Sequence, residues 1–257
     1  MLNFTERSDV FLKKALYSAA SLVFWLAIWQ GIHLAVGENI LVPSPLSVFE
    51  RLFELCTENS FWVSVATSLL RVVSGLVSGT VLGVFLAVLT AKSNLLRNLL
   101  NPALHAIKAT PVASFIILAI LWLSVENVPA FTAMLIVLPT VWANTEKGIL
   151  SVDKDLLQMG KAFGLSTKEV FLRITVPSIK PFFAAALNSA VGMAWKAGIA
   201  AEVICPHGRS IGSALHDSKI YFETVDTFAW TVAVIILSVA LEKALLWLTS
   251  KGGRKNA

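Results

Sequence analysis

Three ionisable residues interrupt long apolar stretches of this sequence: Arg71, Lys196 and Glu202. A cation at the middle of a bilayer costs about 2.5–3.5 kcal/mol on insertion scales, so these side chains should face protein or water rather than lipid. Arg71 lies about nine residues after the start of its apolar stretch, and Lys196 about nine residues before the end of its own. When these two ends lie at the same membrane surface, a rise of ~1.5 Å per residue places both cations roughly 14 Å below it. Two cations at this depth would give a path across the membrane a positive potential suited to an anion.

Glu202 permits a second interpretation of the same residues. Its carboxylate could form a structural ion pair with Arg71, while the long side chain of Lys196 extends its ammonium toward the membrane surface. The sequence leaves both interpretations open. The residues assigned to a substrate path are Arg71, Lys196, Glu202 and Asn188.

A second concentration of charge lies between two apolar stretches, from Asp153 to Pro181. Its apolar spacing predicts a short helix that stops at Gly164, a residue suited to the C′ position. Ser166 and Glu169 form the capping-box pattern of a second helix, which Pro177 should end. A charged helix pair of this kind favours docking on another protein, and an ordinary solvated loop is the alternative. The residues assigned to docking are Asp155, Gln158, Gly160, Phe163, Gly164, Ile174 and Pro177.

The elements that must position these residues are membrane helices. The chain has 257 residues, of which 56% are hydrophobic and 14% charged, so it is more apolar than a soluble domain of this length. We therefore predict an all-α integral membrane protein with six transmembrane helices, in a domain that covers residues 15–248. The predicted spans are 15–36, 62–91, 111–123, 128–144, 182–205 and 228–248. Residues 46–55 predict a short amphipathic helix, and residues 206–226 a polar loop.

Basic residues are distributed unequally between the two sides of the predicted membrane domain. Sixteen of the 21 Lys and Arg residues fall in residues 1–14, 92–108, 147–180 and 243–255, whereas three lie on the other side and two within spans. The positive-inside rule then places the tails 1–14 and 249–257 and the charged loop 146–181 in the cytoplasm. Topology accounts for the net charge of +5, and no binding to nucleic acid is expected.

Small residues recur every four positions in the second and fifth predicted spans. Such stripes let helix backbones approach closely inside a bilayer, and Arg71 and Glu202 continue them. We expect tight helix packing along both stripes. Their members are Gly75, Gly79, Gly83, Ala190, Ala194 and Gly198.

Motifs for catalysis and for nucleotide binding are missing from the sequence. No stretch reads G-x-x-x-x-G-K-[ST], so the chain should not hold ATP in a phosphate-binding loop, and no H-E-x-x-H occurs. The spacing of His207 and His216 fits no metal site. Cys56 and Cys205 both fall near the predicted outer face, so a disulfide between them is open. Uphill transport by this chain would need energy from a partner.

The charged loop also carries a family resemblance. Gln158-Met159-Gly160, Gly164 and Ile174-Thr175-Val176-Pro177 follow the spacing of the EAA loop in permease subunits of bacterial ABC importers. Gln158, Met159 and Gly160 stand where the family has a glutamate and two alanines. The resemblance implies that this loop forms the coupling helix that inserts into a cytoplasmic ATPase subunit.

The resemblance extends over residues 41–248. Residues 42–45, 68–72, 139–148 and 194–202 resemble the permease branch that serves sulfonates, taurine, nitrate and thiamine-precursor pyrimidines. It implies a type I importer in the bacterial inner membrane, with two permease copies, an ATPase dimer that carries ATP and Mg²⁺, and an external solute-binding protein. It also implies a small, anionic organic solute and no cofactor bound by this chain.

The implied mechanism is mechanical. ATPase closure would pass through the loop at 153–177 into the fifth span, which would move against the second. A signalling or scaffold membrane protein is the alternative outside transport, and an intramembrane enzyme would need a catalytic constellation that the sequence does not contain.

Overall fold

The structure is a computed structural model that describes the backbone of residues 4–254 and the side chains of residues 16–247 except Ser18. The outermost residues of both predicted tails, 1–3 and 255–257, lie outside the described residues. The helices are α1 (Phe4–Val36), α2 (Pro45–Thr57), α3 (Asn59–Lys92), α4 (Asn94–Ala109), α5 (Val112–Trp122), α6 (Val128–Leu150), α7 (Lys154–Ala162), α8 (Thr167–Val170), α9 (Val176–Ile204), α10 (Ile211–Ile220) and α11 (Thr224–Arg254). A 3₁₀ turn, Val125–Asn127, precedes α6, and a π-helical turn, Phe171–Thr175, joins α8 to α9.

Among the described residues, five helical segments are long and apolar enough to cross a membrane: those containing α1, α3, α6, α9 and α11. The sixth crossing requires α4 and α5 together, and these two helices meet at an angle of 106°. The predicted third span, 111–123, corresponds to α5 alone, which has 11 residues. At ~1.5 Å per residue such a helix covers about half of the hydrocarbon core. The all-α membrane fold and its count of six spans agree with the sequence prediction, with the third crossing bent.

α6 lies between α3 and α9 and packs along both of them. A Cβ added at Gly79 would lie 2.7 Å from the Met134 carbonyl oxygen, and one at Gly83 would lie 2.9 Å from the Leu138 carbonyl oxygen. The α3 stripe therefore brings its backbone against the backbone of α6, in a parallel arrangement. α3 meets α9 less extensively, at contacts that include Gly198 against Val72.

The α9 stripe is buried in the same core. Ala190 and Ala194 are fully buried, and Trp195 beside them donates a hydrogen bond from Nε1 to the Val234 carbonyl oxygen in α11 (3.1 Å). The two helices that carry the stripes thus pack mainly on α6 and only partly on each other.

The prediction that Pro177 ends the second helix of the charged loop is wrong. Pro177 lies in the first turn of α9, and the helical path is continuous from Thr167 to Ile204. The wide π turn explains the difference, since Val176 N donates to the Phe171 carbonyl five residues earlier. Pro177 then occupies a first-turn position, where the missing N–H is tolerated. For the same reason, the helix that contains the predicted fifth span begins before residue 182.

The segment 206–226 is not an uninterrupted polar loop, because it contains α10. Ser210 caps this helix by accepting a hydrogen bond from Ser213 N (3.1 Å). Ser-x-x-Ser before an apolar residue is a weak N-cap signal that the sequence analysis did not use.

The close approach of α3 to α6 generates a prediction about stability. Replacing Gly75 by Ala would set a methyl group against the Ala130 carbonyl oxygen and the Ala133 side chain, so the helices must separate. Overpacking of this kind costs about 1–3 kcal/mol. The midpoint of thermal unfolding of the detergent-purified protein should fall.

Gly31→Ala is the matched control, because a Cβ at this helical glycine in α1 has no neighbour within 4 Å among the described residues. Its unfolding midpoint should equal or slightly exceed that of the natural protein. Equal midpoints for both variants would contradict the packing of α3 on α6.

Candidate functional site

Glu202 is a carboxylate buried among three helices. Its side chain is 1% exposed. Oε2 accepts hydrogen bonds from Ser68 Oγ in α3 (2.6 Å) and from Gly212 N in α10 (3.1 Å). Oε1 accepts from Arg71 Nη1 (3.1 Å). Both oxygens are therefore satisfied, as a buried ionised carboxylate requires.

Arg71 supplies the opposite charge to Glu202 from one turn along α3. The Arg71 side chain is 16% exposed, so the ion pair lies at the edge of the buried region rather than at its centre. A second, long contact joins Nη2 to the His207 carbonyl oxygen (3.5 Å). Of the two interpretations that the sequence left open, the Arg71–Glu202 pair is the one that the geometry contains.

The same cluster fixes the amino end of α10. Ile211 N donates to Ser68 Oγ (3.0 Å), next to the bond from Gly212 N to Glu202. A Cβ at Gly212 would collide with the Cβ and backbone of Glu202, so only glycine permits this approach. The two orphan N–H groups at the start of α10 also place partial positive charge against the carboxylate.

Ser68 and Gly212 are site residues that the sequence analysis missed. Ser68 belongs to the motif 68–72, but a serine in an apolar helix carries no signal of its partner 134 residues away. Gly212 lay in the segment predicted as loop. A glycine two residues after a serine N-cap was the only available indication.

Lys196 and Asn188 are separate from this cluster. Lys196 is exposed on a face of α9 that also presents Ser189, Met193 and Ala200, and within the described residues it makes no ion pair. Asn188 is half-buried on α9, and its Oδ1 has no hydrogen-bond partner among the described atoms. The structure therefore unites Arg71 with Glu202 and leaves Lys196 and Asn188 outside the pair.

The charged loop has a rigid local geometry. Gly164 adopts φ +72°, with Gly164 N donating to the Lys161 carbonyl (2.9 Å) and Leu165 N to the Gly160 carbonyl (3.0 Å), which is a complete Schellman motif. Ser166 and Glu169 form the capping box in both directions. The hydrogen bonds from Ser166 to the carboxylate lower the pKa of Glu169, so this cap is complete at neutral pH and weakens in acid.

α7 folds back on the helical path that leads into α9. Gly160 is buried, and a Cβ there would lie 3.0 Å from the Cδ1 of Ile174 in the π turn. Asp155, Gln158 and Phe163 are exposed, and Phe163 is the most exposed of the apolar residues in the loop, at 78%. Exposed apolar side chains on a rigid helix pair form a surface suited to a protein partner.

The remaining candidates do not form a site. Cys56 and Cys205 are both free thiols, and Cys205 Sγ donates to the Ala201 carbonyl (2.8 Å). His216 Nδ1 lies 3.0 Å from the Val203 carbonyl oxygen. Within the part of the chain that the structure describes, no group of His, Cys, Asp and Glu side chains is placed to hold a metal ion.

These features define a multi-pass helical membrane protein whose charged loop contains a capped helix pair, α7 and α8. The family model "binding-protein-dependent transport system inner membrane component" matches residues 79–249. The chain belongs to this family: it is a permease subunit of an ABC importer and not an enzyme.

Relatives and solved structures agree with this class. The chain is similar to the aliphatic sulfonates transport permease SsuC of Escherichia coli, with 30% identity over 202 residues that cover 77% of this chain and 76% of the relative. It is 24% identical to the nitrate import permease NrtB of Synechocystis over 255 residues, or 95% and 91% of the two chains. A crystal structure of a bacterial ABC transporter involved in alginate import shares the fold, with a TM-score of 0.63, 13% identity and coverage of 96% and 99%.

The Arg71–Glu202 pair allows a prediction that distinguishes the cost of an unpaired buried charge from the cost of a lost contact. Arg71→Gln should leave the Glu202 carboxylate buried without its counter-charge and destabilise the fold by about 3 kcal/mol. The double variant Arg71→Gln/Glu202→Gln should recover part of that loss, because no charge is then left unpaired. Thermal unfolding of the two single variants and the double variant completes the cycle.

Arg97→Gln provides the comparison, since the Arg97–Glu146 pair has side chains 27% and 12% exposed. A more exposed pair should contribute no more than about 1 kcal/mol. Strictly additive losses at Arg71 and Glu202 would contradict the coupling.

Proposed function

We propose that this permease acts as a homodimer and is driven by a cytoplasmic ABC ATPase dimer that docks on the α7–α8 loop. ATP and Mg²⁺ are held by the ATPase, and this chain binds no cofactor. The observation that carries the proposal is the capped α7–α8 pair, which presents Asp155, Gln158 and the exposed ring of Phe163. A solvated loop would not need two complete caps and a packed glycine at its centre.

The continuous helical path supports a mechanical role for the loop. From Thr167 to Ile204 there are 38 residues in one helical segment, which connects the docking loop with the Glu202 cluster. At ~1.5 Å per residue this rod is about 57 Å long. A displacement imposed on α8 would therefore reach α9 directly, and α9 would move mainly against α6, on which it packs, rather than against α3 alone.

We further propose that both termini and the α7–α8 loop lie in the cytoplasm, with residues 1–14 and 249–257 as tails. The distribution of Lys and Arg supports this orientation. The segments 39–60 and 206–226 then face outward and receive the solute-binding protein. Arg51 of α2 binds Asp226 at 2.7 and 2.9 Å, which joins these two segments into one surface. The Asp226 carboxylate raises the pKa of Arg51 above its usual range.

The proposed solute is a small organic or inorganic anion, sulfonate-, taurine- or nitrate-like, with a thiamine-precursor-like solute as the alternative. Relatives named for sulfonates and nitrate support the anion. In this chain, Lys196 is the cation that supports it, because the charge of Arg71 is balanced by Glu202. Two copies of Lys196, one from each subunit, would line the path together with Asn188.

Substitutions at Gly164 test whether the α7–α8 loop couples the ATPase to uptake. Gly164→Val should strain the left-handed position and displace α8 relative to α7, although the space around it is open. Uptake driven by ATP in vesicles that contain the permease and its ATPase should fall at least tenfold, whereas insertion into the membrane should be unchanged.

Gly164→Asn is the matched variant, since Asn tolerates the left-handed conformation and should retain most uptake. Vesicles with this subunit alone should not accumulate solute. Full uptake by Gly164→Val, or accumulation without the ATPase, would refute the coupling role.

Substitutions at Lys196 test whether its charge favours an anionic solute in the path. Lys196→Gln should reduce uptake of an anionic solute about tenfold and leave uptake of a neutral analogue nearly unchanged, while Lys196→Arg should preserve anion uptake. Initial rates of radiolabelled uptake at low and high ionic strength provide the measurement. An equal loss for both solutes would indicate a structural role for Lys196 instead.

A further inference from the structure

A groove of about 710 Å³ lies at the end of the bundle nearest the α7–α8 loop, between α3, α6 and the start of α9. Its walls are almost entirely hydrocarbon, and its few polar groups lie in a defined order. The groove is lined by residues that include Val84, Val88, Lys92, Thr145, Ile149 and Phe183.

The α3 wall has a graded polarity. Val84, Val88 and Lys92 are spaced four residues apart and so lie above one another on one helix face. Lys92 is the last residue of α3, so its ammonium lies at the mouth of the groove and the two valines lie deeper. Among the described residues Lys92 makes no ion pair, and Lys180 lines the mouth from α9.

Thr145 supplies an independent observation. It is 4% exposed, and its Oγ1 has no hydrogen-bond partner among the described atoms. Other threonines of α6 bond their own helix: Thr132 donates to the Val128 carbonyl and Thr140 to the Ile136 carbonyl. A buried hydroxyl without a partner costs about 1–3 kcal/mol, so the groove should hold an occupant with an acceptor at this position.

The helix register sets the depth of that hydroxyl. α3 and α6 run parallel, with Gly83 opposite Leu138 and Val141. Continuing this register places Thr145 at the level of Val88, about one turn or 6 Å deeper than Lys92. The groove thus offers a cation at its mouth, a hydroxyl one turn below it and hydrocarbon beyond.

We propose that this groove binds an anionic phospholipid from the adjoining leaflet. The phosphate lies against Lys92, an ester carbonyl accepts the hydrogen bond of Thr145, and an acyl chain fills the space along Val84 and Val88. From the mouth inward, the cation, hydroxyl and hydrocarbon of the groove match the phosphate, glycerol ester and acyl chain of a lipid. A protein segment from a second copy would have to carry its own acid, hydrogen-bond acceptor and apolar side chains in that order.

Native mass spectrometry of the purified full chain tests the site. The protein is titrated in detergent with phosphatidylglycerol or phosphatidylcholine that carry identical acyl chains. The natural protein should retain one phosphatidylglycerol with about fivefold preference, as expected for one lysine beside an anionic headgroup. Lys92→Gln should abolish the preference.

Lys147→Gln is the control for charge, because Lys147 lies on α6 at the same end but does not line the groove. Val88→Trp should fill the groove and release either lipid, and Leu82→Trp, on another exposed face of α3, should not. Equal loss in Lys147→Gln and Lys92→Gln, or full retention in Val88→Trp, would overturn the proposal.

A cysteine cross-link tests whether a second copy of the chain, rather than a lipid, occupies the groove. Val88→Cys in a chain with Cys56→Ala and Cys205→Ala would form a disulfide between subunits if the grooves of two copies faced each other at residue 88. The proposal expects no such dimer after mild oxidation in membranes. A high yield of disulfide-linked dimer would assign the groove to the subunit interface and overturn the lipid site.

Discussion

The end of this permease that contains α10 depends on one buried carboxylate. A bilayer offers no water to an ionised side chain, so Glu202 must take all of its hydrogen bonds from protein. It obtains them from Ser68 and Arg71 of α3 and from the amino end of α10. Three elements that are distant in sequence are thereby held in one arrangement, and Gly212 is required because a Cβ would displace α10 from the carboxylate.

The opposite end of α9 is constrained by backbone geometry rather than by charge. The π turn at Phe171–Thr175 lets a proline follow within the first turn of α9 and keeps α8 and α9 in one helical path. Gly160 and Ile174 pack α7 against that path. The α7–α8 loop and the Glu202 cluster therefore lie at the two ends of one helical path, and most of that path packs on α6.

The two intramembrane cations have different environments, and the difference bears on the solute. Arg71 is neutralised within the chain, whereas Lys196 lies on an exposed face of α9 and has no ion-pair partner in the described part of the protein. An unbalanced cation in a transmembrane helix is costly unless a path, a lipid headgroup or a second subunit compensates it. In an importer whose relatives carry names of anion transport, the path is the compensation that we propose.

The sequence by itself determined the features that depend on composition or on neighbours within one helical turn. Apolar length predicted the spans. Gly164 and the Ser166–Glu169 pair predicted the end of α7 and the start of α8, because these interactions join residues three to five positions apart. Only the tertiary structure showed that Arg71 forms an ion pair with Glu202, which is 131 residues away. It also decided that Pro177 continues a helix and that α6 separates α3 from α9 along most of their length. These outcomes depend on which helix surfaces pack together. Local spacing shows that one surface of a helix is small or polar, but it does not show which other helix packs there.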